Sequence, residues 1–191
     1  MSALRTFIAI EIDDKTRTII SNIQNSFKKS KADIRLIAPD NIHITLIFIG
    51  NIEATKVDEI RKELQNLISS TKVFKILPKD IGCFPNTKNP KILWIGIKDG
   101  AEKLIELNKK IKLLLDGCKI TTDDRDFHPH ITIGRVKSSN NIDALKATLL
   151  NFSEQSFQQI AVERISLIKS NLTPAGPQYK TITRWELSKN K

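Results

Sequence analysis

Asn41-Ile42-His43-Ile44-Thr45-Leu46 and Phe127-His128-Pro129-His130-Ile131-Thr132-Ile133 carry the same phrase: a His, an apolar residue, a Thr and another apolar residue. Both lie in β-branched runs, which favour strands. Side chains in a strand alternate between faces, so His43 and Thr45 share one face and His130 and Thr132 share another. Ile44, Leu46, Ile131 and Ile133 turn the opposite way, where a core would take them. A core has no use for imidazole and hydroxyl at both places, because polar groups buried without partners cost free energy. Two imidazoles, each beside a hydroxyl, suit a reaction that needs a general acid and a general base without a metal.

The surrounding sequence repeats as well. Residues 5–12 (RTFIAIEI) read as a strand, and Asp13 and Asp14 can cap a helix whose stripe is Ile19, Ile20, Ile23 and Phe27. The first His-Thr strand ends at Gly50. A helix then runs from about Thr55 with Val57, Ile60, Leu64, Leu67 and Ile68 on one face. Thr55 and Asp58 approximate a capping box. Residues 91–97 (KILWIGI) start the second round, followed by a helix carrying Leu104, Leu107, Ile111, Leu114 and Leu115. The second His-Thr strand runs to about Val136, and Ile142, Leu145, Leu149 and Phe152 mark a shorter helix. Phe7 precedes His43 by 43 − 7 = 36 residues, and Trp94 precedes His130 by 130 − 94 = 36. This matched spacing predicts an internal duplication with pseudo-twofold symmetry, both His-Thr faces lining one cleft. Residues 74–84 and 160–170 read as further strands, 170–178 as a loop and 179–187 as a last strand.

Composition narrows the function classes. The 191 residues include 31 Lys and Arg against 21 Asp and Glu, a net charge of +10. That excess favours a phosphate-bearing substrate, although a lysine-rich proteome would produce it too. No apolar run approaches the ~20 residues needed to span a bilayer, and no signal peptide is evident, so a cytoplasmic protein is expected. Cys83 and Cys118 lack CxxC spacing. His128 and His130 could chelate, but neither His-Thr unit holds an Asp, Glu or Cys, and Asp123, Asp124 and Asp126 fit no ligand set. No metal is expected. His128 reads as a loop residue that orients the strand entry or lines the rim. Arg135 should point away from the His130 face in an ideal strand, but a bend at Gly134 would turn its guanidinium toward a phosphate.

These residues resemble the two-histidine phosphoesterase superfamily, and within it the RNA 2′,3′-cyclic phosphodiesterase (LigT-like, 2′-5′ RNA ligase) family. The resemblance rests on residues 5–10 as an opening strand and on 39–50 and 127–135 as the two motifs. Gly176, Pro177, Tyr179 and Trp185 add a similar C-terminal region. Leu36 and Ile37 stand where such proteins often carry an aromatic residue. The resemblance implies an α+β fold, residues 1–191 forming a single bilobal domain: two pseudo-twofold-related lobes, each an antiparallel sheet with flanking helices, around a central cleft. It implies hydrolysis of RNA 2′,3′-cyclic phosphate ends to 2′-phosphomonoesters, with tRNA halves among the candidate substrates and 2′-5′ ligation as a minor activity. By analogy His43 is the proton donor and His130 the proton acceptor, though the symmetry of the motifs leaves those roles open. Thr45, Thr132 and Arg135 would bind the phosphate, with no cofactor, no membrane and a monomer as expectations. Two alternatives stand beside this: a phosphodiesterase for a small cyclic nucleotide or 2′-5′ oligonucleotide, and a non-catalytic RNA- or nucleotide-binding module.

Overall fold

The computed structural model describes residues 3–152, 157–174 and 176–189. The chain opens with β1 (Ala3–Glu11), α1 (Asp14–Lys29), β2 (Ile34–Leu36), β3 (His43–Glu53) and α2 (Lys56–Ser70). Next come β4 (Phe74–Phe84), β5 (Ile92–Asp99), α3 (Ala101–Gly117), β6 (His130–Val136) and α4 (Ile142–Leu150). The short β7 (Ile160–Val162) and the long β8 (Arg164–Thr173) and β9 (Gly176–Glu186) close it. Two antiparallel sheets result, with orders β3-β1-β8-β9 and β2-β6-β5-β4-β7. The expected two-lobed α+β architecture is present.

The helices form as their stripes require. Asp13 caps α1 by accepting the Thr16 amide at 2.8 Å, and Ile20, Ile23 and Phe27 are buried. Val57, Ile60, Leu64 and Ile68 of α2 and Leu104, Leu107, Ile111 and Leu115 of α3 enter the same core. The capping box at Thr55 does not form. Strand β3 continues past Gly50 to Glu53, leaving a turn so short that Thr55 is already helical (φ −61°, ψ −29°). Its hydroxyl points to Glu53 Oε2 at 3.4 Å.

Two further departures follow from long-range pairing. The stretch 170–178, expected as a loop, is mostly strand, because β8 and β9 pair from Arg164↔Glu186 out to Thr173↔Gly176. Strand β2, too short to show in the sequence, adds to the edge of β6 in the second sheet. The repeats also exchange strands. After the second helix of each repeat the chain crosses to the other repeat's sheet: β4 pairs with β5, and β8, following the short β7 that pairs with β4, joins β1.

Candidate active site

Strands β3 and β6 occupy equivalent places, each beside the opening strand of its repeat. His43 and Thr45 are half-buried between Ile42, Ile44 and Leu46, which are at most 2% exposed. His130 and Thr132 likewise alternate with fully buried Ile131 and Ile133. The core face is therefore the apolar set, and both His-Thr pairs are left for the cleft.

The two imidazoles are fixed by one device. His43 Nδ1 lies 2.7 Å from the Asn41 carbonyl, and His130 Nδ1 lies 2.6 Å from the His128 carbonyl. A carbonyl only accepts, so Nδ1 carries the proton and donates in both rings. Nε2 is then the working atom of each neutral ring. His43 Nε2 accepts from the Thr45 hydroxyl at 2.9 Å. The main chain of His128 thus orients the entry to β6, while its ring lies 6.4 Å from that of Phe84. Asn41 is itself tied down, its side-chain amide donating to the Pro177 carbonyl at 3.0 Å.

Aromatic walls surround both rings. Phe7 and Tyr179 pack on His43 at 4.9 and 5.3 Å, and Phe84 meets His130 edge-on at 5.2 Å. Burial in this apolar lining pushes the His43 pKa down to about 4, with the charges of His130 and Arg135 adding to the effect and the Asn41 carbonyl opposing it. His130 is lowered for the same leading reason, desolvation, with the His128 carbonyl opposing it and the charges of His128 and Arg135 adding to it. Burial raises the Tyr179 hydroxyl, against Arg135 and Arg5. Glu11 sits opposite His43 on β1. Burial pushes its carboxyl up, but the Ser166 hydroxyl (2.6 Å) and the Arg184 guanidinium (2.9 Å) outweigh that and hold it below its usual value. Its charge is thereby compensated and would not repel a phosphate.

Arg135 reaches the cleft through a β-bulge. Register runs from Leu93↔Gly134 to Trp94↔Thr132, so Ile133 is an extra residue on β6 and the alternation shifts by one. Ile133 and Gly134 are both buried and Arg135 emerges on the cleft side, where its charge acts on both imidazoles and on Tyr179. The Gln24 side-chain amide of α1 donates to the Ile133 carbonyl at 2.9 Å and to the Ile37 carbonyl at 2.8 Å, pinning the bulge. Strand β3 is bulged in the same way: register passes from Ile8↔Ile47 to Ala9↔Thr45, and Leu46 and Ile47 are both buried. Phe48 is thereby turned outward, 42% exposed and 6.0 Å from Phe7. Phe48 and Arg135 are equivalent, each five residues past its histidine.

Sequence reasoning passed over Phe48, Phe84, Trp94 and Glu11 as cleft residues. Phe84 packs on Trp94 at 5.1 Å, and Trp94 lies against Gly82, where a Cβ would come within 2.4 Å of the indole. The 36-residue spacing to Trp94 and the glycines beside it were the available signal. Among the described residues no three His, Cys, Asp or Glu side chains gather as a metal-binding group, and no helix is long and apolar enough to cross a membrane.

A family model for the 2′-5′ RNA ligase superfamily matches residues 14–174. The chain belongs to this superfamily. Proteins called RNA 2′,3′-cyclic phosphodiesterase from Methanocaldococcus jannaschii and Aquifex aeolicus are 35% and 31% identical to it. Those alignments cover 95% and 98% of this chain and 100% and 99% of theirs. Among solved structures, TT0787 of Thermus thermophilus superposes with a TM-score of 0.81 at 21% identity, covering 98% of this chain and 100% of its own. Apo LigT of Escherichia coli gives 0.78 at 22% identity, covering 98% and 99%. At such identities the superpositions speak for the fold: the superfamily member has the same bilobal architecture.

Proposed function

We propose that this chain hydrolyses 2′,3′-cyclic phosphate ends of RNA to 2′-phosphomonoesters, as the names of its full-length relatives suggest. The observation that carries the reading is the pair of imidazoles, one per sheet, each with Nδ1 tied to a carbonyl so that Nε2 is the working atom, bonded to the Thr45 hydroxyl in His43 and unengaged among the described residues in His130. Water attacks phosphorus as the bond from phosphorus to O3′ breaks. His130 takes the proton from water at Nε2, which is unengaged among the described residues. His43 gives a proton to O3′ from its own Nε2, on the opposite side. Burial favours neutral rings in the free protein, which suits the base. The acid must be charged, and the bound phosphate anion supplies the field that favours imidazolium.

Thr45, Thr132 and Arg135 hold the non-bridging oxygens, with the Thr45 hydroxyl turning from His43 to the phosphate when substrate arrives. Phe48 offers a face on which the terminal base can stack. The same groups would join a 5′-hydroxyl to the cyclic phosphate, with a ribose hydroxyl replacing water, as a minor ligase activity. In this reading residues 1–191 act as one bilobal domain, a monomer in the cytoplasm, free of membrane and cofactor, with tRNA halves among the candidate substrates.

The test is turnover of a nucleoside 2′,3′-cyclic monophosphate in chelator by the wild type, His43→Ala and His130→Ala. Each variant should lose about 10²–10⁴-fold in rate. Robust activity in both variants would remove the acid–base pair, and loss in chelator restored by zinc would overturn the metal-free reading. Tight nucleotide binding without turnover would instead make the chain a binding module.

A further inference from the structure

Phe48, which meets Phe7 beside His43, also lines a groove of about 660 Å³, within the size range of ligand sites. Its floor is β3 from Phe48 to Glu53, the outer strand of its sheet. The facing wall is the stretch after α3 that includes Lys119, Thr121 and Thr122. We propose that this groove seats the penultimate nucleotide, the one 5′ of the nucleotide that carries the cyclic phosphate, making the protein prefer an RNA strand over a mononucleotide. The inference rests on the phosphodiesterase reading above and assigns a second subsite to it.

Continuity with the site is the first argument. Phe48 belongs to both places: it lines the groove and meets Phe7, which packs on His43. A strand whose terminal ribose lies between the histidines and whose base covers Phe48 has this groove as an exit.

Chemistry is the second. A nucleotide is part apolar and part anionic, and the groove offers Phe48 and Ile120 beside the amide of Asn51 and the hydroxyl of Thr121. Thr122 Oγ1 is shielded from solvent and has no protein partner. Of the charged groups lining the groove, Asp123 is paired with Arg125, and Lys56 with Glu59 at 2.5 Å. Exposed Lys119 forms no ion pair among the described residues and stands ready for a phosphate, with Glu53 as the opposing carboxylate across the groove. A peptide strand is a poorer occupant. The β3 edge is already interrupted, the Leu46 carbonyl accepting from the Asn108 side chain and the Phe48 carbonyl from the Asp123 amide, so no continuous ladder can form.

The experiment compares kcat/KM for a nucleoside 2′,3′-cyclic monophosphate and for a trinucleotide ending in the same cyclic phosphate, in wild type, Lys119→Glu and Thr121→Trp. Both substituted positions are exposed, so folding should survive. Wild type should favour the trinucleotide by about tenfold, the scale of one charge-assisted contact. Both variants should lose most of that preference while the mononucleotide rate stays within about twofold, and Lys119→Glu should flatten the salt dependence by about 0.7 in log–log slope. A wild-type ratio near one, or a preference that neither variant reduces, overturns the groove assignment and leaves the phosphodiesterase reading intact. Failure of the wild type to turn over either substrate overturns that reading, and the groove assignment with it.

Discussion

His43 is where burial and chemistry pull against each other. Its ring is held neutral, with a pKa of about 4 in the folded chain against 6.5 in an unfolded one. Between those values the unfolded chain takes a proton that the native ring refuses, so stability is full above pH 6.5 and falls as pH drops toward 4. One such group contributes a slope of about 1.4 kcal/mol per pH unit in that window. Denaturation at pH 7 and pH 5 should therefore show a smaller acid loss in His43→Gln than in wild type; an equal loss would mean the ring is not buried neutral. Arg135 lowers both imidazoles. Replacing it with Ala should raise both titrations, as read by histidine NMR, and cut kcat/KM by about 10–10³-fold through loss of a charge-assisted phosphate contact. The His-Thr pairs were legible from residue type and spacing alone. Phe48 was not, because in an unbulged strand it falls on the core side with Leu46.

The bulges in β3 and β6 are the elements that make the site, and neither can be read from alternation. Each makes the second apolar position of the motif, Leu46 or Ile133, the extra residue, so a phenylalanine and an arginine that should face the core face the cleft instead. Gly134 hints at the second, since a Cβ there would press on Ile34 and Leu36 of β2 at 3.2 Å. Gly134→Ala should cost about 1–3 kcal/mol by overpacking and lower activity by displacing Arg135, with the stability loss read by denaturant midpoint. Unchanged stability and activity would show that β2 yields freely. Gln24→Leu should cost about 1–3 kcal/mol by leaving the Ile37 and Ile133 carbonyls without their side-chain partner. The regular helices and the long strands were legible because their periodicity is local. Short β2, and the extension of β8 and β9 through the Pro- and Gly-containing stretch, were not, because only their partners make them strands.

At the scale of the molecule, the duplication announced by the matched 36-residue spacings is present, but the repeats are interlocked. Each sheet takes two strands from the other repeat, β8 and β9 in the first sheet and β2 and β4 in the second, so neither half holds a complete sheet. This exchange was beyond the sequence, which shows the order of elements and not which sheet each joins. Removing β8 and β9 would strip the first sheet to β3 and β1 and expose Phe7 and Ala9, so a chain ending at Glu163 should lose cooperative unfolding altogether, including in the second lobe. In the proposed reaction the two lobes meet to open a cyclic phosphate at O3′. The direct measurement is single turnover of a cyclic-phosphate-ended RNA in ¹⁸O-labelled water, resolving 2′- from 3′-phosphate and the position of the label. A 2′-phosphomonoester carrying one solvent oxygen, formed by wild type and lost in both His43→Ala and His130→Ala, is the predicted result. A 3′-phosphate product, or a 2′-phosphate that still forms at the wild-type rate without either histidine, would contradict it.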